Sequence, residues 1–500
     1  MMSLTVAAVV SVSLSLTPSS SSATTSADVP VLPDGACVPF TPAGAAVYVD
    51  DDAPAGGDGS AQRPLRGISA ALDRAGDGGS VLVAAGTYPG TVRVEAVAAT
   101  LVGGFAGGNG AGYGAGEAGD FSCSAPAANS SRIQGPGGDS VVVVSTSQAA
   151  RVEGFHLTGG TGNVGEYATL GGGVLCVDST ATIARNVIEG NVAQGQTGQT
   201  LGGGVHLQGC DAEVAGNVIS GNVADRGGAI AVDGGAVRIR GNIVDGNRAT
   251  GDHGGGIYAA SPDLEITGNL VQGNEVGQEL GYGWGGGIVV FGQGSAALLA
   301  GNTVRGNAAP SIGSGTYIDD GATATLRNEL LVGNRCAAQG GAGVYVDGLG
   351  EVGSTVTIHN STIASHDCPA DVGGNALFVE RNSRVEVVNS ILWGNGGDDV
   401  YTDDTSQVTA RYTDSQEELP GQGNLSVDPL FAGGSDYHLQ STAGRPFDGG
   451  LVSDAQHSPA IDAGDPSTPF DAEPQPNGGR VDLGAYGATT QASRSEASWR

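Results

Sequence analysis

Short apolar runs follow clusters of glycine at intervals along the middle of the chain. These runs read GGGVLCV at 171, GGGVHLQ at 202, GGAIAV at 227, GGGIYA at 254, GGGIVVF at 285 and GAGVYV at 341. Between the clusters apolar and polar residues alternate, and such alternation is typical of β-strands. The pattern therefore predicts a repeating unit of two or three short strands without a helix.

Asparagine marks a second position in each unit. The motif Asn-any-Val/Ile-any-Gly-Asn occurs as NVIEGN at 186, NVISGN at 217, NIVDGN at 242, NLVQGN at 269 and NTVRGN at 302, and looser copies follow as NELLVGN at 328, NSTIASH at 360 and NSILWGN at 389. The intervals between the first asparagines range from 25 to 33 residues. A parallel β-helix accepts this variation because loops at one corner can have any length. Stacked amides would bond from coil to coil, so we expect a ladder formed by Asn186, Asn217, Asn242, Asn269 and Asn302.

The segment before the repeats predicts a helix that covers the first coil. The residues on its apolar face are Ile68, Ala71, Leu72 and Ala75. Gly76 would end the helix. The stretch from Tyr48 to Tyr88 resembles the usual opening of the secreted right-handed parallel β-helix proteins of the pectate-lyase-like superfamily. With the repeats, the resemblance implies an all-β fold, a right-handed parallel β-helix (solenoid) of about ten coils with an N-terminal amphipathic capping helix.

The two ends of the chain bear on its location. The run from Gly423 to Gly487 contains GNLSVDPLF, DYHLQ, SPAIDAGDP and GGRVDLGAYG, and it resembles the terminal segment of choice-of-anchor Q proteins, which are bacterial surface proteins. No apolar segment follows it to indicate a membrane or covalent anchor, and we expect no transmembrane segment in the mature chain. An apolar stretch from Leu4 to Leu16 and a Ser/Thr/Ala tract ending near Ala27 are typical of a signal peptide. We therefore expect an extracellular or bacterial cell-surface location.

The expected boundaries follow from these features. They are 1–27 for the signal peptide, 28–47 for a linker, 48–440 for the β-helix with its N-terminal cap, 441–490 for a C-terminal cap segment and 491–500 for a disordered tail.

Six cysteines, an even number, fit an oxidising compartment. Cys336 and Cys368 would stack one coil apart, a separation of about 4.8 Å that allows a disulfide. The other expected pairs are Cys176 with Cys210 in adjacent coils and, by elimination near the N-terminal cap, Cys37 with Cys123.

Charge narrows the choice of partner. The 21 basic residues are all arginine, and with 52 acidic residues they give a formal net charge of −31. Nucleic acid is excluded because it needs a cluster of basic residues, which the sequence lacks. An acidic polysaccharide would be repelled unless a cation such as calcium bridged the two surfaces. The expected partner is a polysaccharide or a surface protein, and the sequence does not determine the oligomeric state.

Loops of unequal length predict a groove along one edge of the helix. Two long loops, Val192 to Leu201 and Glu275 to Trp284, would flank two short ones. The short loops carry Asp225, Arg226, Asp252 and His253. Paired carboxylates suit calcium or a glycosidase, histidine suits a general base, and arginine suits a sugar carboxylate. Tyr282 and Trp284 could stack on a sugar ring. Charge balance on an acidic surface would place the same residue types there without a site.

Two acidic clusters are candidates for calcium, the one cofactor that the sequence suggests without establishing it. The first contains Asp50, Asp51, Asp52 and Asp58, and the second contains Asp398, Asp399, Asp403 and Asp404. Neither has the ligand spacing of an EF-hand loop, so solvated acidic turns are the favoured explanation of both.

The catalytic motifs of polygalacturonases and the Asp-Pro-His-Asp box of alginate epimerases are absent, and the absence of lysine removes every lyase that uses a lysine base. The sequence therefore favours an exported, non-catalytic scaffold or adhesin-like protein that binds carbohydrate or protein. A polysaccharide lyase or glycoside hydrolase working in the groove is the alternative, and a purely structural rod is the third. Catalysis requires the groove side chains to converge in an open cleft, whereas burial in salt bridges argues against it.

Overall fold

The structure is a computed structural model that describes residues 37–42, 44–164, 168–195, 199–277, 280–335, 340–366, 368 and 373–495. Three long parallel sheets run the length of the molecule, with 13, 12 and 11 strands. Each sheet takes one strand from nearly every coil, so neighbouring coils pair strand by strand. This arrangement confirms the prediction of an all-β parallel solenoid.

The first sheet contains Ala46–Val49, Gly79–Ala84, Ala99–Phe105, Ala150–Glu153, Thr180–Ala184, Asp211–Ala215, Ala236–Arg240, Asp263–Thr267, Ala296–Ala300, Thr323–Arg327, Thr355–His359, Arg384–Val388 and Gln407–Arg411. The second contains Gly86–Pro89, Ser131–Gln134, Phe155–Thr158, Val187–Glu189, Val218–Ser220, Ile243–Asp245, Leu270–Gln272, Thr303–Arg305, Leu330–Val332, Thr362–Ala364, Ile391–Trp393 and Asp414–Ser415. The third contains Val92–Glu95, Val142–Ser145, Val174–Val177, Val205–Gln208, Ile230–Asp233, Ile257–Ala260, Ile288–Phe291, Thr316–Asp319, Val344–Val346, Leu377–Val379 and Val400–Thr402.

The loops expected at one edge form a fourth, six-stranded sheet beside the third. Its strands are Asn163–Val164, Ala168–Leu170, Gln199–Leu201, Val223–Arg226, Arg248–His253 and Glu275–Val276. The glycine clusters form the corner between these two sheets, where Gly254 has a φ of 68° and a Cβ on Gly255 would lie 2.6 Å from the Gly286 oxygen of the next coil. Only glycine fits both requirements, a left-handed turn and close stacking of backbone on backbone.

Three short antiparallel pairs complete the strands. They are Val38–Pro39 with Cys123–Ser124, Phe431–Gly433 with Asp436–Leu439, and Arg445–Phe447 with Gly450–Val452.

The interior contains one continuous column of Val, Ile and Leu from all three long sheets. The predicted asparagine ladder lies at one interior corner. Asn217 Oδ1 accepts hydrogen bonds from the backbone N–H and the side-chain Nδ2 of Asn186, at 2.9 and 3.1 Å. The same pattern repeats through Asn242, Asn269 and Asn302, and all five are almost fully buried. The ladder therefore pairs turn amides that would otherwise be buried without partners.

Beyond Asn302 the ladder changes composition. The next acceptor is Glu329 Oε1, followed by the hydroxyl groups of Ser361 and Ser390. The asparagines of the looser copies, Asn328, Asn360 and Asn389, lie one residue earlier, at a left-handed corner with φ of 46° to 53°. The signal was in the sequence, since the two ends of each looser motif lie six residues apart instead of five.

The capping helix is α1, Ile68–Ala75, and a second helix, α2, is Gly110–Gly114. Ile68, Ala71 and Ala75 are buried against the first strands of the solenoid, and Gly76 ends α1 with a φ of 67°. The amphipathic cap is thus confirmed. No helix in the described ranges has the length and apolar character to cross a membrane.

The C-terminal segment packs along the outer face of the second sheet. Two apolar clusters join it to the coils, one around Ile391 and Leu483 and one around Leu330 and Ala485. The left-handed asparagines strengthen the contact: Asn328 donates to the Ala485 and Gly487 oxygens at 2.9 and 2.8 Å. Residues 491–495, assigned from the sequence to a disordered tail, include buried Ala492, Ser493 and Ser495. The expected signal peptide and residues 496–500 lie outside the described residues.

Two expected disulfides are present. Cys37 pairs with Cys123 at a Cα–Cα distance of 5.5 Å, and Cys176 with Cys210 at 6.3 Å. The expected bond between Cys336 and Cys368 lies outside the described residues because Cys336 is not among them.

Candidate functional site

Three of the four predicted groove residues come together at the corner between the third and fourth sheets. Arg226 donates from Nε and Nη2 to the Asp252 carboxylate at 2.6 and 2.7 Å. His253 Nδ1 lies 3.0 Å from Asp252 Oδ1. Asp225 faces elsewhere, because its carboxylate accepts from the Thr200 amide and the Thr250 hydroxyl, both at 2.9 Å.

The three side chains are held in ion pairs and are largely covered. Only 18, 22 and 7% of the side-chain surfaces of Arg226, Asp252 and His253 are exposed. Burial alone would raise the pKa of Asp252, but its contacts with His253 and Arg226 hold that pKa well below the usual range. Burial likewise opposes the charged form of His253, while Asp252 and Asp319 raise its pKa. The arrangement is a largely covered, salt-bridged cluster.

His253 connects this cluster to an aromatic surface that the sequence analysis missed. Its ring centroid lies 4.8 Å from that of Trp284 and 6.2 Å from that of Tyr317, and the second contact is parallel. His253 Nε2 lies 3.6 Å from Asp319 Oδ2. The edge cluster therefore continues onto the outer face of the third sheet.

One outward position of the third sheet carries aromatic rings in successive coils. In register it holds Tyr258, Val289, Tyr317, Tyr345, Phe378 and Tyr401. The Tyr345 and Phe378 rings stack at 4.7 Å, and the Phe378 and Tyr401 rings stack at 4.2 Å. We call this set the aromatic row. Tyr317 and Tyr345 are buried, Phe378 is half-buried and Tyr401 is 41% exposed, so the row opens to solvent at its C-terminal end.

A row of carboxylates runs beside the aromatic row, two residues further along each coil. We call it the acidic row, and it consists of Asp319, Asp347, Glu380 and Asp403. Tyr345 donates its hydroxyl to Glu380 Oε1 at 2.9 Å, and Arg381 Nη1 donates to Asp347 Oδ2 at 2.9 Å. Burial raises the pKa of Asp347 to about 7, with the charges of Asp319 and Glu380 adding to the effect.

The predicted wall aromatics are close to each other and near the same cluster. Tyr282 is 45% exposed, and its ring lies 5.2 Å from that of half-buried Trp284. Trp284 forms an isolated bridge with His253. The wall aromatics thus flank the end of the aromatic row that begins at Tyr258.

The early acidic cluster is divided among separate turns. Asp50 Oδ2 accepts from the Tyr113 hydroxyl at 2.7 Å and from the Gly108 amide at 2.9 Å. Asp51 accepts from the Thr87 amide at 3.0 Å, Asp58 pairs with Arg63 at 3.3 Å, and Asp52 is exposed. Within the described ranges no group of three or more His, Cys, Asp or Glu side chains has the geometry to hold a metal ion.

The sequence contained a signal for the aromatic row. From Tyr258 to Phe378, each ring, or Val289 in its place, follows by four residues the left-handed glycine at the corner, as Tyr258 follows Gly254 and Tyr317 follows Gly313; Tyr401 is the exception, since Gly397 is not left-handed. Aligning the units on that glycine, and not on asparagine, brings the rings into one column.

Comparison with known proteins agrees with the architecture. The family described as "Right handed beta helix region" matches residues 129–346 and 286–417, which together span more than half of the chain and establish the handedness. No curated protein matches the sequence. Among solved structures, the crystal structure of pectate lyase Pel9A is similar over 89% of this chain and 98% of that one, with a TM-score of 0.45 and 12% identity.

Proposed function

The chain belongs to the right-handed beta helix family, and from that premise we propose that it is a non-catalytic protein that binds neutral polysaccharide on the third sheet. The ligand would lie on the solvent-exposed end of the aromatic row, at Phe378 and Tyr401. Exposed aromatic faces suit the apolar faces of sugar rings. Beside them Glu380 and Asp403, the partly exposed members of the acidic row, offer acceptors for sugar hydroxyls.

The observation that carries the proposal is the uneven distribution of aromatic residues at one register position. Earlier coils hold Leu175, His206 and Ala231 there, in the same sheet and with the same pairing. The fold therefore tolerates small or polar residues at this position. Stacked rings in the later coils, ending in one that is 41% exposed, exceed what folding demands.

Charge supports a neutral ligand over an acidic one. The net charge of −31 repels polyanions, and the acidic row lies directly beside the aromatic row. Arg381 is bonded to Asp347 and lies 3.7 Å from Glu380. The charge of Arg381 therefore neutralises carboxylates of the acidic row. It leaves no surplus positive charge that could bind an anion.

Binding to insoluble polysaccharides tests the proposal. The purified chain is incubated with neutral and acidic polymers, with and without calcium, and the bound fraction is measured together with released reducing ends and unsaturated uronates. We expect retention on at least one neutral polymer, no product, and no calcium requirement. Retention only on acidic polymers, or on none, would overturn the proposal.

Variants locate the binding surface. Tyr401→Ala and Phe378→Ala should each weaken binding about tenfold, because each removes an aromatic contact with the sugar. Phe447→Ala is the matched control, since Phe447 is 45% exposed on the C-terminal hairpin, away from the third sheet. Equal losses in all three variants would mean that the aromatic row is not the binding surface.

A second candidate function is glycoside hydrolysis in the acidic row. It is favoured by Asp347, whose pKa of about 7 suits a general acid near neutral pH. Burial opposes it, since only 2% of Asp347 and 5% of Asp319 are exposed. Release of reducing ends that Asp347→Asn abolishes would establish this activity in place of simple binding.

We also propose that the protein works outside the cytoplasm, at or near a bacterial cell surface. The pairs Cys37–Cys123 and Cys176–Cys210 support export, because disulfides persist in oxidising compartments. The C-terminal segment that resembles choice-of-anchor Q proteins supports a surface location. Fractionation of the native host tests this, and a protein confined to the cytoplasm with reduced cysteines would contradict it.

A further inference from the structure

A cavity of about 470 Å³ lies on the second sheet, where the C-terminal segment meets the coils. Its floor is formed by outward residues of four consecutive strands, and the turn at Gly434 and Ser435 forms its rim. The volume is in the range of small-molecule sites. The cavity is on a different sheet from the aromatic row, so its role is independent of polysaccharide binding.

The cavity contains a positive charge without a carboxylate partner. Arg305 donates from Nε and Nη2 to Gln272 Oε1 at 3.0 and 2.8 Å. Among the described residues no carboxylate lies within 4.0 Å of its nitrogens. Eleven of the 20 arginines in the described ranges have such a partner, as Arg226 has in Asp252. The Nη1 group of Arg305 keeps its donors available to a ligand.

A negative charge without a partner faces the same cavity. In the described part of the chain the Asp245 carboxylate has no hydrogen-bond or ion-pair partner. Asp245, Gln272 and Arg305 occupy one register position in three consecutive strands. The two charged residues are therefore two strand spacings apart, or about 9.6 Å between Cα atoms.

One wall of the cavity is apolar. Leu330 and Val332 are 5 and 6% exposed, and they pack with the partly buried Tyr437, which lies in the hairpin of Phe431–Gly433 and Asp436–Leu439. Val332 follows Arg305 in the register, so the apolar wall lies on the side of the cavity nearest the cation. A ligand with its negative group on Arg305 would bring an apolar substituent against this wall.

We propose that this cavity binds a short zwitterionic peptide with an apolar C-terminal residue. The peptide carboxylate lies on Arg305, its ammonium group faces Asp245, and its apolar side chain packs on Leu330, Val332 and Tyr437. A purely anionic ligand would meet the repulsion of the net charge of −31, whereas a zwitterion is neutral overall. A dipeptide spans about 6–7 Å between its charges, which suits groups two strands apart.

Isothermal titration of the full chain with glycyl-leucine tests the proposal. We expect measurable binding of glycyl-leucine. N-acetylglycyl-leucine and glycyl-leucinamide should each bind at least about tenfold more weakly, because each loses one charge-assisted contact. Glycyl-glycine should also lose about tenfold, because it cannot bury a leucine side chain. These comparisons use the unaltered protein and do not depend on any variant folding.

Two variants assign the charges. Arg305→Gln should remove the preference for the free carboxylate and keep that for the free amine, and Asp245→Asn should do the reverse. Arg327→Gln, at an exposed arginine of the first sheet, is the matched control and should change neither. Equal affinity for glycyl-leucine and its blocked forms, or no binding up to about 10 mM, would overturn the proposal.

Discussion

The asparagine ladder and the aromatic row are both columns of stacked side chains, yet they are distributed differently along the molecule. The ladder position is polar in every coil from Asn186 to Ser390 and is buried throughout. The aromatic position holds rings only between Tyr258 and Tyr401, and its last ring is exposed. A column that each coil needs for folding is continuous, whereas a column that folding does not need is confined to one part of the solenoid.

Asn242→Leu should produce the largest effect and tests whether the ladder is essential. The change removes the acceptor of the Asn217 amide at 2.9 Å and the donor to the Val214 oxygen at 2.8 Å. Each orphaned buried group costs about 1–3 kcal/mol, so we expect a loss of about 2–6 kcal/mol in the free energy of unfolding. Chemical denaturation measures it, with exposed Gln208→Ala as a control that should change it by less than about 0.5 kcal/mol. A loss no larger than that of the control would show that the ladder is dispensable.

Glu329→Gln sharpens the comparison at an irregular rung of the ladder. Glu329 is fully buried, and burial raises its pKa to about 8. Oε1 accepts from Asn302, while Oε2 has no acceptor role in the described structure. The neutral acid is therefore the form that fits, because it can imitate the amide that occupies the earlier rungs.

The pH dependence follows from that raised pKa. The protonated Glu329 side chain contributes fully to stability below pH 4.5, which is the ordinary pKa of a glutamate side chain, and this contribution is lost as pH rises through about 8. Glu329→Gln should therefore raise the free energy of unfolding by about 2–4 kcal/mol at pH 9 and by little at pH 4. Denaturation curves at the two pH values test this, and a pH-independent difference would contradict it.

Asp252→Asn tests the corner cluster that adjoins the aromatic row. The change leaves the partly buried Arg226 without its bidentate partner and should cost about 1–3 kcal/mol at pH 7. Because the folded-state pKa of Asp252 is lowered, the cost should be complete above the unfolded pKa of about 3.9 and shrink as pH falls below it. Thermal melts at pH 7 and pH 3 measure the trend. A cost that grows at low pH would mean that the ion pair is not its source.

Tyr401→Ala should have the smallest effect on stability although it weakens polysaccharide binding. Tyr401 lies at the exposed end of the row and stacks only on Phe378 among the described rings. We expect a loss of less than about 1 kcal/mol in the free energy of unfolding. A loss as large as that of Asn242→Leu would show that the row supports the fold and would remove the contrast between the two columns.

The sequence predicted what each coil repeats within itself. The ladder, the interior Val and Ile positions and the capping helix all follow from local spacing, and the structure has them. The contacts within the groove were harder to predict from the sequence. A shared corner position shows which residues lie near each other, but it does not show which of them form hydrogen bonds or ion pairs. Asp225 is near the predicted cluster, yet two threonine contacts turn its carboxylate away from Asp252.

The aromatic row escaped prediction because its members lie in different coils, and their shared spacing from the corner glycine becomes visible only when the units are aligned on that glycine instead of on asparagine. Their contact depends on register between coils, which irregular loop lengths conceal. The cavity at Arg305 could not be predicted from the repeats, because its rim is formed by residues 434 and 435, which are far along the chain from the residues of its floor. The periodicity of the coils does not predict where the C-terminal segment packs on the solenoid.

The left-handed corner occupied by Asn328, Asn360 and Asn389 provides positions along the side of the solenoid where another segment can attach. In four of the five regular coils the residue there is glycine, as at Gly301, and no side chain leaves the corner; the first regular coil has Arg185 there, which bonds to Glu153. Exchanging glycine for asparagine keeps the backbone turn, because asparagine tolerates this conformation, and adds an outward amide such as the one by which Asn389 holds Asp465 and Thr468. A repeat protein can thus acquire a lateral segment by single substitutions, without altering the stacking of its coils.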